Sequence, residues 1–467
     1  MRNILYTIII TVLLGSVFSC TEDSLEPTLA QTKDAATSIN SVEDLRVVLF
    51  GAYNRMTAST YYGRDFIIYG EVRSDNCYAN GNSGRFITPA SMAMGNTDAY
   101  ATDTWTQIYT VIASANLVIG SENVTITGDT DQKNHIIGQA YAIRALAQFD
   151  LLKLYGQQHV IGGDNTLGVP YIMEFKGEDI LPARNSVSQV KSLLEADVAK
   201  ALSLMNSTLN DDSKEFFTTY AVQALKARIA LYFGDWATVK TACEAVMNSG
   251  EYDIMSASDY PDSWATKGAY NSIFELAYRS TDQLGNTGLG FIYRGSAYGD
   301  IRVLDNLYNL FGPTDVRGTA GGMIGRAQNF NTNLGKYLSA TGSDNIPLFR
   351  FEEVILNYAE ALFELNQSGI DGDALYYLNL IPLNRDAPTY TSVTKDDILL
   401  ERRKELCFEG FRFDDLARTG NDIPVLNDLN VRHDSPPYGT FNYAFPIPKV
   451  ELNANSHMVQ NFGYSSN

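Results

Sequence analysis

Residues 224–246 read ALKARIALYFGDWATVKTACEAV. Two stretches of helical period are separated there by only Gly234 and Asp235, and so short a connection folds the second helix back along the first. Alanine at 224, 227, 230, 237 and 242 leaves the two backbones free to approach closely. The same texture returns in YAIRALAQFDLLKLYG (141–156) and in LNYAEALFELNQSGIDGDALYYLNLI (356–381), where Asp371-Gly372-Asp373 marks the turn. Ser41 with Asp44 reads as a capped helix start, and Trp105, Ile108, Ile112, Ala115 and Ile119 recur at spacings of three and four. Further helices are predicted at about 132–155, 186–205, 215–233, 235–248, 350–366, 371–381 and 395–409. Strand signals are few: SIFELAY (272–278), and YAFPIP (443–448), whose prolines allow only an edge or a short piece. The expected class is mainly α, a scaffold of antiparallel helix pairs carrying long insertions.

The N-terminus sets the compartment. After Arg2, the uncharged run from Ile4 to Phe18 is too short to span a bilayer, which takes about 20 residues, and has the length of a secretory signal. Val17-Phe18-Ser19-Cys20 resembles a loose bacterial lipobox, in which the Cys20 sulfur carries acyl chains. Residues 1–19 are then signal peptide, 20–38 a lipidated tether, and 39–467 one helical domain held at the membrane by lipid only. With 35 Lys plus Arg against 54 Asp plus Glu, the formal charge of −19 argues against nucleic acid and against charge-driven adhesion to anionic lipid. Cys77, Cys243 and Cys407 have no paired spacing, so neither a disulfide framework nor a zinc site is expected; the last two sit inside helical patterns as small buried residues.

No constellation for catalysis stands out. His135, His159, His433 and His457 lack metal-binding spacing, and no GxSxG or GxxxxGK[ST] motif occurs. Gly288, Gly290 and Gly295 miss the dinucleotide pattern at the last interval. The dense charges of ERRKELCFEGFRFDDLAR (401–418) read as structural: Arg–carboxylate forks tying a helix to the scaffold, with Leu406, Phe408, Phe411 and Phe413 packed beneath.

The helix pairs resemble degenerate tetratricopeptide repeats. In order along the chain, the lipobox cysteine followed by acids, WTQIYTVIASANLVI (105–119), GQAYAIRALAQFDLLKLYG (138–156), LGVPYI (167–172), ALKARIALYFGDW (224–236), LFRFEEVILNYAEALFEL (348–365), ILLERRKELCFEGFRFDDLAR (398–418) and YAFPIPKVELNANSHMVQNFGY (443–464) resemble the SusD/RagB family of nutrient-binding lipoproteins of Bacteroidetes. The resemblance implies four tetratricopeptide-like pairs on one side and a loop-built ligand face on the other. It implies no catalysis and no cofactor. It also implies a position outside the outer membrane, directed there by Glu22 and Asp23 after Cys20, above a SusC-like TonB-dependent transporter. A protein-binding or adhesin module on the same helical scaffold is the alternative.

The ligand face is expected in two aperiodic insertions, since loops on a rigid frame carry binding. The first, 59–86 and on to Thr102, offers Tyr61, Tyr62, Arg64, Asp65, Tyr69, Arg73, Asp75, Asn76, Tyr78, Asn80 and Arg85. The second, 278–300, offers Arg279, Asp282, Gln283, Phe291, Tyr293, Arg294 and Tyr298. Rings for stacking beside Asn, Asp and Arg suit an oligomeric ligand, an oligosaccharide or an oligopeptide. The shortlist is Tyr61, Tyr62, Arg64, Arg73, Asp75, Asn76, Tyr78, Asn80, Tyr293 and Arg294, with Trp264 added. The family's glycan-binding members commonly carry a tryptophan arc, and Trp264 is the one tryptophan outside the helical patterns that hold Trp105 and Trp236.

Overall fold

In the computed structural model, described for residues 39–466 apart from 164, 177–179, 295–297, 328 and 367–371, the chain is mainly helical. The signal, the tether and Cys20 lie outside the described residues. Helices of seven or more residues are α1 (Val42–Met56), α2 (Asp65–Val72), α3 (Ala99–Ile119), α4 (Thr130–Tyr155), α5 (Val187–Leu204), α6 (Thr219–Tyr232), α7 (Trp236–Met247), α8 (Phe351–Asn366), α9 (Gly372–Leu383), α10 (Lys395–Glu405) and α11 (Arg412–Arg418). From α3 to α9 each of these helices packs on the next, and α1 lies against α3. This is the serial packing expected of tetratricopeptide-like pairs.

Local chemistry sets the helix ends. Ser41 accepts the Asp44 N–H at the start of α1. Between α6 and α7, Gly234 takes φ +70°, where a side chain would be strained, and Asp235 then caps α7 by accepting the Thr238 N–H at 3.1 Å. Ala227, Ala230, Ala242 and Cys243 are buried at this crossing.

Three two-stranded antiparallel ribbons complete the described structure. They pair β1 (Cys77–Ala79) with β3 (Ile301–Val303), β2 (Ser272–Leu276) with β6 (Ile346–Arg350), and β4 (Ile324–Ala327) with β5 (Phe330–Asn333). SIFELAY is thus a strand through Leu276. YAFPIP is not: after a 3-10 turn at Phe441–Tyr443 its backbone runs unpaired as strand, Phe445 donating its N–H to Leu154 O and wedging its ring against Tyr69 and Tyr155. The predicted helix 395–409 ends at Glu405, and Phe408 and Gly410 turn the chain at positive φ into α11.

The expected aperiodic insertion at 59–102 is largely core. Its α2 is buried at every residue, which removes the one-sided apolar stripe by which a helix is read from sequence. It crosses the 408–411 turn so closely that a Cβ on Gly70 would fall 2.0 Å from Gly410 O.

Buried charge joins the helix pairs to the insertions. Asp315, Arg317 and Lys336, from the segment between β3 and β6, meet Arg350, Glu352, Arg385, Glu401, Lys404, Glu405 and Glu409, five cations and five carboxylates in one net. Arg385 alone reaches Glu352 at 2.9 Å and Glu405 at 2.8 Å. Nearby, Arg402 pairs with Asp415, and Arg418 with both Asp415 and Glu360. The structural reading of ERRKELCFEGFRFDDLAR therefore holds. Burial opposes ionisation of Glu405 and Glu409, but the facing Arg and Lys outweigh it and hold both carboxyls below their usual range.

Candidate functional site

Most of the shortlisted binding residues are structural. Tyr61 donates to Asp150 Oδ2 at 2.6 Å and clusters with Tyr62 and Phe66 in the core. Arg73 is 1% exposed, its guanidinium 3.8 Å from the centre of the Phe413 ring and donating to Tyr443 O. Asp75, also 1% exposed, is held by Arg412 Nε at 2.7 Å and Arg403 Nη1 at 3.0 Å. Asn76 bridges Glu71 and Arg403 at 2.9 and 2.8 Å. Tyr78 lies in β1 and is 6% exposed. Tyr293, wholly buried, stacks on Tyr337 and meets Phe408 edge-on. Arg64 is mostly covered, paired with Asp65 at 2.5 Å and set over Phe86. A ligand cannot reach seven of these, Tyr61, Tyr62, Arg73, Asp75, Asn76, Tyr78 and Tyr293, without opening the core. Tyr61, Arg73, Asp75 and Asn76 instead join the segment around α2 and β1 to α4, α10 and α11, and Tyr293 packs the second insertion on Tyr337 and Phe408.

Beyond β1 the same chain emerges. The β1–β3 ladder sets Tyr78 opposite Arg302 and Ala79 opposite Ile301, and Asn80 extends it by donating N–H to Asp300 O at 2.8 Å and Nδ2–H to Gly299 O at 2.7 Å. The two insertions thus meet at their tips. Gly81 and Gly84 turn the chain at positive φ, presenting half-exposed Arg85 with its guanidinium 4.2 Å from the centre of the half-exposed Tyr298 ring. A cation on one ring face fixes the ring's orientation at small entropic cost. Beneath them lies Asp300, 1% exposed, 3.6 Å from Arg85 Nη1, with neither carboxylate oxygen hydrogen-bonded among the described residues. Arg302 donates Nη1–H to Thr332 at 2.9 Å, leaves Nε without a partner among the described residues, and sits beneath Phe330, which is 45% exposed. Burial lowers the Arg302 pKa from its usual value. The face therefore offers an oriented ring, a second exposed ring, half-exposed Asn80 and Arg85, and unmade hydrogen bonds just below. Such a surface stacks on and hydrogen-bonds a polar oligomer lying across it.

Residues 317–464 match the SusD family, and residues 25–231 match a family described as starch-binding, associating with the outer membrane. The chain is a member of the SusD/RagB family. A SusD-like protein of Bacteroides ovatus is 23% identical over 92% of this chain and 85% of its own. The starch-binding protein SusD of Bacteroides thetaiotaomicron is 31% identical over a shorter stretch, 31% of this chain and 26% of that one. A crystal structure of a SusD superfamily protein from Bacteroides vulgatus superposes with a TM-score of 0.83 at 26% identity, covering 91% of this chain and 100% of the other.

In this SusD-like chain, the sequence shortlist reached the exposed face at one residue, Asn80. Arg85 and Tyr298 stood in the two insertions but were not selected over the buried tyrosines. Asp300, Arg302 and Phe330 were missed altogether. The available signal was the run NGNSG (80–84), which has nothing apolar to bury and so marks where the insertion leaves the core. Trp264 and Arg294 are both half-buried and lie elsewhere, Trp264 in the wall of a separate cleft.

Proposed function

We propose that the protein is a cell-surface lipoprotein that captures an oligosaccharide and passes it to a SusC-like TonB-dependent transporter in the outer membrane. The observation that carries the reading is the oriented Tyr298–Arg85 pair beside Asn80, at the tips of two insertions in a SusD-family fold. A flat ring beside amide, guanidinium and carboxylate groups complements the apolar face and hydroxyl rim of a sugar. Membership of a family whose named relatives include a starch-binding protein supports a glycan over a peptide. Acylation at Cys20 supplies the anchor, and the chain binds without transforming its ligand.

Calorimetric titration of the soluble chain from residue 21 against neutral oligosaccharides and, in parallel, oligopeptides tests the ligand class. Saturable glycan binding is expected, lost or weakened in Tyr298→Ala. Binding of peptides alone would overturn the glycan assignment. Partnership is read by mild-detergent copurification with a TonB-dependent barrel; its absence, with neither ligand class bound, would favour the adhesin alternative. Cys20→Ala should abolish fatty-acid labelling and release the protein from membranes.

A further inference from the structure

Away from the exposed face, a cleft of about 270 Å³ lies between the turn that follows the short helix Tyr260–Ser263, the start of β2 and the segment 338–347 leading into β6. It shares no residue with the Tyr298 face. Its volume is below the roughly 300–1,000 Å³ of sites for drug-sized ligands and suits one small molecule, not an oligomer.

Two residues in its wall carry unmade hydrogen bonds: Trp264 Nε1–H and Ser272 Oγ are both covered and have no partner among the described residues. Ser272 is 1% exposed. Beside them Glu275, 2% exposed, is fixed by the Gly268 N–H at 3.0 Å and Asn345 Nδ2–H at 2.9 Å, both on Oε2. Asp344 completes the polar wall, its Oδ1 accepting the Ser339 N–H at 2.7 Å. Two cations flank the Trp264 ring, Lys336 Nζ 4.4 Å and the Arg350 guanidinium 5.3 Å from its centre. Those two cations already face Glu352, Glu405 and Glu409.

We infer that this cleft is a second binding site, for a single neutral sugar ring or a polyol of that size. The charge pattern selects the class. Two carboxylates, Glu275 and Asp344, share the wall with two cations, Lys267, whose Nζ donates to Tyr278 O, and Arg350, already matched by Glu352, Glu405 and Glu409, so the balanced wall favours a neutral ligand over an ion of either sign. The groups left to be completed are a neutral N–H donor, a hydroxyl that can donate or accept, and carboxylate acceptors. A ring bearing several hydroxyls supplies donors and acceptors together. An indole N–H left unmade in a covered position is costly, and a hydroxyl oxygen reaching it removes that cost.

The test uses the whole soluble chain from residue 21, with the indole N–H resonances of Trp105, Trp236 and Trp264 assigned by single Trp→Phe variants. Glucose, galactose, mannose and xylose are titrated separately, with glycine and alanine as amino-acid probes. At least one monosaccharide should shift the Trp264 resonance saturably while the Trp105 resonance stays in place. Ser272→Ala should weaken that binding about fivefold, the loss of one neutral hydrogen bond, and leave glycan binding at the Tyr298 face unchanged. Should Trp264→Phe fail to fold, crystals of the parent chain soaked in the same sugars must show a ring in contact with Ser272. The inference is overturned if no monosaccharide shifts the resonance or enters the cleft, if Ser272→Ala binds as tightly as the parent, or if only the amino acids bind. Because the exposed face is read separately with oligosaccharides, failure of either site leaves the other standing.

Discussion

Residues 61–79 and 80–85 follow one another in the chain and are both rich in the residue types that make binding sites. The first contributes Tyr61, Tyr62, Arg73, Asp75, Asn76 and Tyr78 to a sealed interior. The second contributes Asn80 and Arg85 to an open face. Composition does not separate them; partners do. Arg73, Asp75 and Asn76 of the first stretch each meet a buried counterpart from α10, α11 or the C-terminal segment, whereas Asn80 and Arg85 are held by hydrogen bonds or stacking that leave part of each side chain free. Polar and aromatic density in an insertion thus marks an anchor as readily as a binding surface.

That contrast can be broken most directly at Asp75. Asp75→Ala strands Arg403 and Arg412 as uncompensated buried charges and should cost about 3–5 kcal/mol, read as a large fall in the denaturant midpoint. A variant as stable as the parent would show that the first stretch is not an anchor. Acid should act in the same direction. Asp75, Asp315, Glu360, Glu405, Glu409 and Asp415 are all held below their usual pKa: burial opposes their ionisation, and the facing Arg and Lys outweigh it. The stability they contribute is present above an unfolded pKa of about 4 and is lost as pH falls through the lower folded values. Asp65, Glu71, Asp150, Asp344 and Glu451, raised by burial, work in the opposite sense, so the acid limb reports the excess of the lowered set over these. Melting temperature should hold near neutrality and drop below about pH 4, and a melt independent of pH there would contradict the ion pairing.

Smaller effects sharpen the comparison. Ala230→Leu, buried at the α6–α7 crossing, should overpack by about 1–3 kcal/mol; an unchanged melt would mean the crossing tolerates a larger side chain. Tyr298→Ala should change stability by no more than about 0.5 kcal/mol. Its glycan affinity should nonetheless fall roughly two- to tenfold, the equivalent of about 0.5–1.5 kcal/mol for a stacking ring. A melt lowered as far as that of Asp75→Ala would make Tyr298 another anchor and erase the distinction.

Much of the scaffold was legible from local signals: caps, tight turns and recurrent small residues. Alanine spacing and the Gly234-Asp235 turn locate α6 and α7, and the Ser41–Asp44 cap locates α1. The charge pattern of 401–418 identifies forks that the structure closes with Asp415 and Glu360. What escaped had lost its period. With every face of α2 buried, no stripe distinguishes DFIIYGEV from an aperiodic loop, and once the segment is read as a loop its tyrosines and arginine look available. The face depends on β1 pairing with β3 across most of the intervening scaffold, and nothing local to Asn80 or to Tyr298 specifies that contact. Asp300 and Phe330 carry no motif at all; their roles arise from the pairing.

The ten-residue charge net between scaffold and insertions has a consequence for how such a chain can diverge. Each member is satisfied by at least one other, so the effect of a substitution depends on which residues already stand around it. Replacing Glu405 alone would take one carboxylate from Arg317, Arg350 and Arg385 at once and leave five cations facing four carboxylates, while replacing a matched pair with apolar residues of similar size can be close to neutral. Single steps are penalised where double steps are tolerated. This is strong epistasis, and under it the joint between helices and insertions changes slowly and in blocks. The outer tips at Asn80, Arg85 and Tyr298, bound by fewer such ties, are left free to vary one residue at a time.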